Sequence, residues 1–300
     1  MSHPRKDASP RRTFWLDDRI VDERDAVVPV LDHGLLYGDG LFEGIRICER
    51  RVFRLTDHLR RLAVGAKAIG LELPGGLPAC EKAVLETARA HDGDDAYVRL
   101  IVTRGVGELG VDPDTCSDPR LVVVVSDIQM YPEAKRREGL ALATSSLRRP
   151  QAGVLDPGVK SLNYLNSVLA KREARLHGAD EALLLNAQGQ VAEASGANVF
   201  AVRDGLVSTP PPTDGALPGI TRRSVLELAG QLGFETRERT LGRVDLWDAD
   251  EVFLTGSGAR IVPVSSLDGQ VVGHEGQARP VTEALLAAFP DYARERGTAF

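Results

Sequence analysis

The stretch from Gly158 to Val202 limits what this chain can be more than any other part of it. It reads Gly158-Val159-Lys160-Ser161-Leu162-Asn163-Tyr164-Leu165-Asn166, runs on as a helix pattern, and closes on Glu193-Ala194-Ser195-Gly196-Ala197-Asn198-Val199-Phe200. A lysine stands where a strand-like segment meets a helix. A glutamate follows at the start of a Gly/Asn turn. Lysine amines are nucleophiles towards aldehydes once their ammonium form is disfavoured. A carboxylate keeps a pyridine nitrogen protonated, and that proton makes the ring an electron sink. The pair therefore reads as Lys160 holding an aldehyde cofactor as a Schiff base and Glu193 facing its ring nitrogen. Either residue alone is ordinary, since most lysines are solvated with buried stems and most turn carboxylates face water.

The remaining sequence supplies a frame large enough for such a site. The chain has 300 residues, 43% apolar and 27% charged. That is core enough for one large or two medium soluble domains. The net charge of −6 is spread along the chain, which argues against a nucleic-acid or anionic-lipid face. Cys48, Cys80 and Cys116 form neither a disulfide framework nor a zinc pattern, and read as reduced thiols of a cytoplasmic protein. The N-terminus lacks the apolar segment of a secretory signal. The run Leu121 to Val125 is too short to span a bilayer, so no membrane partner is expected. The six histidines show no metal-ligand spacing.

Taken in order, residues 1–12 read as a disordered tail. Phe14 to Val21 reads as a hairpin turning at Asp17-Asp18. Asp32 to Gly40 is a Gly-punctuated loop. Leu41 to Ile47 alternates as a strand, with Phe42, Gly44 and Arg46 on one face. After a strand at Arg51 to Arg54, Thr56 is the expected N-cap of a helix carrying Leu59, Leu62, Ala63, Ala66 and Ile69. A second helix is expected from Pro78 to His91. Strands at Ala96 to Thr103 and Arg120 to Ser126 flank a Gly-rich loop, Arg104 to Pro119, of a length that is more often functional than idle. His33 and His58 are read as supports for loops. Tyr131-Pro132 and the charges after it read as a linker. The boundaries are a domain at 13–128, a linker at 129–138 and a larger domain at 139–300. In the second half strands are expected at Leu140–Ser146, Glu181–Leu185, Gln190–Glu193, Val199–Val202, Leu206–Ser208 and Glu251–Leu254. Helices are expected at Asn163–His177, Arg222–Leu232 and Pro280–Ala288. Many short strands with a few helices in each half give an α+β fold of two domains.

Two further turns suit an anion. Leu217-Pro218-Gly219-Ile220-Thr221-Arg222 opens a helix whose first amides, with the Thr221 hydroxyl, suit a phosphate; a plain Thr221 cap is the ordinary alternative. Thr255-Gly256-Ser257-Gly258-Ala259 follows a strand and suits a phosphate oxygen or a carboxylate, or is simply a flexible turn. Arg61 lies on the polar side of its helix, from which it reaches a phosphate bidentately or faces solvent.

Six motifs occur in sequence: Asp32 to Arg46, His58-Leu59-Arg60-Arg61-Leu62, Val159 to Tyr164, Glu193 with its turn, Pro218 to Arg222, and Thr255-Gly256-Ser257. Together they resemble the class IV aminotransferases, the fold-type IV pyridoxal-phosphate enzymes, nearest to the branched-chain aminotransferases of archaeal and bacterial type. The resemblance covers nearly all of the chain after residue 14. It implies a small α/β domain, a larger mixed-sheet, barrel-like domain, and pyridoxal 5'-phosphate between them. Lys160 would be the Schiff-base lysine and proton shuttle. Glu193 would pair with the ring nitrogen and Tyr164 with the ring hydroxyl. Arg61, Ile220, Thr221 and Ser257 would hold the phosphate. Tyr37, Phe42, Arg46, Tyr97 and Arg99 would wall the substrate pocket, and the Ser257 and Gly258 amides would take the substrate carboxylate. Residues near Leu109 to Val111 would reach into a neighbour's site, which implies a homodimer.

The reaction implied is transfer of an amino group from a branched-chain L-amino acid to 2-oxoglutarate, by ping-pong. Two departures bear on the substrate. Ser257-Gly258-Ala259-Arg260 stands where branched-chain enzymes usually carry Thr-Ala-Ala and then an acid. The loop Gly105 to Pro113 lacks the Arg-x-His pair of D-amino-acid aminotransferases. The alternatives are a D-amino-acid or (R)-amine transaminase, a lyase of the aminodeoxychorismate type, and a cofactor-binding module without turnover.

Overall fold

In the first half of the chain, alternating apolar and polar residues become a seven-stranded antiparallel sheet. The structure is a computed structural model and describes residues 10–273 and 278–300. The tail expected at 1–12 lies largely outside the described residues, and its last residue already belongs to a strand. The chain divides into two units, Met1–Ile128 with Arg296–Phe300, and Gln129–Glu295.

The first unit contains β1 (Arg12–Leu16), β2 (Arg19–Val21), α1 (His33–Leu36), β3 (Gly40–Cys48), β4 (Arg51–Phe53), α2 (Leu55–Ala68), α3 (Gly76–Ala90), β5 (Ala96–Thr103) and β6 (Arg120–Ser126). With β16 (Gly297–Ala299), its sheet order is β16-β4-β3-β5-β6-β1-β2. The β1–β2 turn falls on Asp17-Asp18, as expected, with Asp17 at φ 57°, a conformation Asp tolerates. Gly44 pairs with Arg99 and Arg46 with Tyr97. Because side chains alternate along a strand, Phe42, Gly44, Arg46, Tyr97 and Arg99 share one face. The other face carries Leu41, Glu43, Ile45, Val98, Leu100, Val123 and Val125, all buried, and packs against α2 and α3. Those helices bury Leu55, Leu59, Leu62 and Ala66, and Cys80, Ala83, Val84 and Ala88. Thr56 is not the cap of α2. The helix begins two residues earlier, at Leu55 after Arg54 in the left-handed region at φ 48°, and no side chain caps it.

The second unit contains α4 (Glu133–Glu138), β7 (Leu140–Arg148), α5 (Ala152–Leu155), α6 (Leu165–Leu176), β8 (Glu181–Leu185), β9 (Val191–Ala194), β10 (Asn198–Arg203), β11 (Leu206–Thr209), α7 (Ile220–Gln231), β12 (Thr236–Glu238), α8 (Arg243–Trp247), β13 (Glu251–Gly256), β14 (Arg260–Leu267), β15 (Gln270–Val271) and α9 (Pro280–Glu295). Its sheet runs β12-β11-β10-β13-β14-β7-β8-β9, with β15 beside β14. β9 closes the order at one end yet lies against β10, so the sheet curls on itself. The β14–β7 and β7–β8 pairs are parallel. Parallel neighbours need a crossover, and α6 provides it for β7 and β8. Small residues bring α6 close to the sheet: Ala170 and Ala174 pack on Ala182 and Leu184. The main core fills the curl with Leu140, Leu183, Leu185, Val191, Val199, Leu254, Val262 and Val264.

Two boundaries differ from the sequence reading. Residues 129–138 carry α4, and Lys135 is ion-paired with Asp180 at 2.7 Å, so this segment is part of the second unit. The last residues leave it: β16 pairs with β4 in the first sheet. Among the described residues no helix is long and apolar enough to cross a membrane, and no group of His, Cys, Asp or Glu is arranged to hold a metal.

Candidate active site

Lys160 lies in the crossover between β7 and β8, at the carboxyl ends of two parallel strands, where open α/β sheets commonly bind ligands. The segment before it is not a strand but the short α5 and a turn. In that turn the Asp156 carboxylate accepts from Gly158 N at 2.8 Å, and Val159 N donates to Asp156 O at 2.9 Å. Tyr164 is the residue from which α6 starts. Lys160 Nζ is 2.9 Å from the Tyr164 hydroxyl and 5.1 Å from the centre of its ring. Asn166, in the first turn of α6, donates through Nδ2 to Arg148 O at 3.1 Å, which ties the helix to the end of β7.

Glu193 sits on β9 opposite Leu184 and is 6% exposed. Its carboxylate is gripped by Asn198, Leu217 and Arg149 among its partners. Asn198 Nδ2 donates to Oε2 at 3.1 Å, Leu217 N donates to the same oxygen at 3.0 Å, and Arg149 Nη2 forms an ion pair with Oε1 at 2.9 Å. Asn198 Nδ2 also reaches Leu217 O at 2.9 Å, so the lead-in to α7 is fastened beside Glu193. Gly219 precedes that helix, and a Cβ there would come within 2.1 Å of Asn198 Oδ1. Only glycine fits so close an approach.

Ile220 and Thr221 open α7 and are buried. Thr221 is not the cap, because it stands inside the helix. Gly219 precedes the first turn, no side-chain bond caps it, and no acidic residue lies in that turn. The first amides of a helix have no acceptor within it and carry partial positive charge, so this end suits an anion. Ser257 and Gly258 form the turn between β13 and β14. A Cβ on Gly256 would lie 3.5 Å from Gly196 O, so this turn adjoins the one after Glu193. Thr255 Oγ1 is buried there without a hydrogen-bond partner among the described residues. A buried hydroxyl left this way is costly unless a ligand completes it.

The other expected site residues belong to the first unit. Arg61 is not a solvated helix arginine. Its Nε and Nη2 grip the two oxygens of Glu43 at 2.8 and 2.7 Å, and His58 Nδ1 takes Oε2 at 2.7 Å. His58 thus binds a strand carboxylate rather than a loop. Burial works to raise the Glu43 carboxyl, but the charge and hydrogen bonds of Arg61, then of His58, outweigh it and hold the group at about 2. On the far face of that sheet the Arg99 guanidinium lies 4.5 Å from the Phe42 ring centre and 5.6 Å from that of Tyr97, within cation–π range. The Tyr97 hydroxyl covers Gly44, with 1.9 Å to an ideal Cβ there. Arg46 stands beside Tyr97 in register. Tyr37 ends α1 and accepts from Gly110 N at 2.9 Å, and His33 Nε2 is 2.9 Å from Glu108 O. These two side chains hold the long loop, whose Leu109 and Val111 stand 77% and 82% exposed.

Arg149 escapes a reading of the sequence, since nothing in its spacing separates it from other arginines. The turns that carry Asn198 and Thr255 are visible in the sequence, but the contact of Asn198 with Glu193 and the burial of the Thr255 hydroxyl are not.

A model of the family described as amino-transferase class IV matches residues 40–267. A Methanocaldococcus jannaschii protein provisionally named a branched-chain-amino-acid aminotransferase is 45% identical, over 95% of this chain and 97% of its own. The branched-chain-amino-acid aminotransferase of Escherichia coli is 37% identical, over 92% of this chain and 91% of its own. The crystal structure of the branched-chain amino acid aminotransferase from Thermobaculum terrenum, in its PLP form, superposes with a TM-score of 0.83 at 31% identity, covering 95% of this chain and 97% of its own. The likeness spans both units and the segment from Lys160 to Ser257, and this chain belongs to the class IV aminotransferase family, with the fold of type IV.

Proposed function

We propose that the chain is a pyridoxal 5'-phosphate-dependent transaminase that moves the amino group of a branched-chain L-amino acid to 2-oxoglutarate by a ping-pong mechanism. The observation that carries the chemistry is the Lys160 amine 2.9 Å from the Tyr164 hydroxyl, in the same unit as the buried Glu193. The substrate class rests on the relatives, whose names specify branched-chain amino acids. The residues suit the cofactor. The uncapped start of α7 offers Ile220 and Thr221 to a phosphate, Glu193 offers a carboxylate to a ring nitrogen, Tyr164 offers a phenol to the ring hydroxyl, and Thr255 Oγ1 lacks a partner among the described residues.

When bound, the cofactor supplies an electron sink for the pair released as the substrate Cα–H bond breaks. Lys160 Nζ would anchor it, and as a free amine would take up and carry the proton released from Cα. Tyr164 keeps that amine directed. Glu193 would accept a hydrogen bond from the protonated ring nitrogen. The Ser257 and Gly258 amides orient the substrate carboxylate, and Ser257 also serves the phosphate. In the first unit Arg61 is proposed for the phosphate, and Tyr37, Phe42, Arg46, Tyr97 and Arg99 for the substrate. A homodimer and a cytoplasmic location complete the reading.

The test is a half-reaction screen. Cofactor-loaded protein is mixed with L-leucine, D-alanine, D-glutamate and (R)-1-phenylethylamine, and loss of the cofactor's visible absorbance is followed. Bleaching by L-leucine, with parallel-line kinetics when 2-oxoglutarate is added, is expected. Bleaching by the D- or (R)-compounds alone overturns the assignment to L-amino acids.

A further inference from the structure

Glu193 is nearly as buried as a residue in the core, and burial alone drives a carboxyl towards its neutral form. A neutral carboxyl cannot hold the proton of a ring nitrogen. The structure shows what opposes this. Arg149 Nη2 lies 2.9 Å from Glu193 Oε1, while the other oxygen receives the Asn198 and Leu217 donors. The guanidinium is itself positioned from several sides. Arg149 N donates to Leu185 O at 2.8 Å and Nε donates to Gly215 O at 3.2 Å. Gly215 is left-handed at φ 100°, and a Cβ there would touch Arg149 Cγ at 3.4 Å. Pro150 follows and restricts the Arg149 backbone to extended conformations. The carbonyl of the residue before Arg149 binds Asn166 of α6. One junction therefore touches both α6, the helix that follows Lys160, and the glutamate.

We propose that Arg149 is a positioning residue that keeps the Glu193 carboxylate ionised and fixed in orientation for a protonated ring nitrogen. The proposal rests on the cofactor reading above. Two other charged groups on the elements packed against β9 are engaged elsewhere. Glu181 on β8 is committed to Lys171, Tyr131 and Ser195. Arg203 on β10 is engaged with Asp204, Asp248 and Asp250. Asp214, in the turn packed on β9, is an acid whose Oδ2 lacks a hydrogen-bond partner among the described residues, so it brings no positive charge to Glu193. An ion pair with one partner removed leaves the other buried and uncompensated, so losing the guanidinium acts on Glu193 and not on Lys160.

The experiment loads full-length protein with pyridoxal 5'-phosphate labelled with ¹⁵N at the ring nitrogen. It compares wild type, Arg149→Met, Arg149→Gln, Arg149→Lys, Glu193→Gln and the double variant Arg149→Met/Glu193→Gln. The wild-type shift is expected at the protonated value. In Arg149→Met and Arg149→Gln it moves towards the unprotonated value, and kcat falls about 10- to 100-fold, the usual loss when an outer partner of a functional group is removed, with KM for the amino donor little changed. Arg149→Lys retains the protonated shift. The double variant is no slower than Glu193→Gln alone. A protonated shift with wild-type kcat in Arg149→Met overturns the proposal, as does a double variant slowed by the product of the two single effects. Should the methionine variant fail to fold, the glutamine variant decides in the same way. A wild-type protein that takes up no labelled cofactor overturns the cofactor reading itself, a result distinct from either.

Discussion

Two buried carboxylates, Glu43 in the first unit and Glu193 in the second, are held in opposite ways. Glu43 is wholly buried and embraced by a bidentate arginine and an imidazole. All of these partners are side chains, and its effect is to fix Arg61. The partners of Glu193 include a guanidinium nitrogen, a side-chain amide and a backbone amide. It is the group being fixed. One carboxylate thus serves as scaffold for a cation, while the other is itself presented. The second unit repeats the pattern elsewhere, with an uncapped α7 and a Thr255 hydroxyl that lacks a partner among the described residues.

Breaking the Glu43 cluster should therefore show first in stability. Glu43→Gln leaves two buried basic groups short of their counter-charge, a loss of about 3–5 kcal/mol, measured by denaturant unfolding of the first unit's signals. The same cluster sets an acid limit. The Glu43 carboxyl is depressed in the fold from 4.5 to about 2. Its contribution is thus present above pH 4.5 and is lost as pH falls towards 2. Unfolding measured across that window should steepen in wild type and flatten in Glu43→Gln. A smaller effect is expected at Gly44→Ala. The new methyl meets the Tyr97 hydroxyl, and displacing it costs about 1–3 kcal/mol, read as a lowered Tm. An unchanged Tm would mean that Tyr97 moves freely, and that the face shared with Arg99 is softer than its packing indicates.

What the sequence makes legible here depends on range. β8 reads at its true limits because Glu181 to Leu185 is an apolar run bounded by turn residues, a local signal. β14 escapes such a reading because Pro263 lies inside it, and proline argues against an interior strand. The structure tolerates Pro263 because pairing with β7 begins only at Val264. β16 escapes because three residues after a helix carry no periodicity, and only β4, far back in the chain, makes them a strand. The site divides along the same line. Lys160, Tyr164, Glu193 and the start of α7 sit in short motifs and can be named from them. Arg149 cannot, since its role exists only where the end of β7 meets β9 and the turn at Gly215.

Lys160, alone among the lysines, is expected to form the covalent link to the cofactor. Cofactor-loaded protein reduced with borohydride, digested and mapped by mass spectrometry tests it directly. The account predicts a phosphopyridoxyl mass on the peptide containing Lys160 and on no other. A label on Lys6, Lys67, Lys82, Lys135 or Lys171 instead, or no label at all, would contradict it.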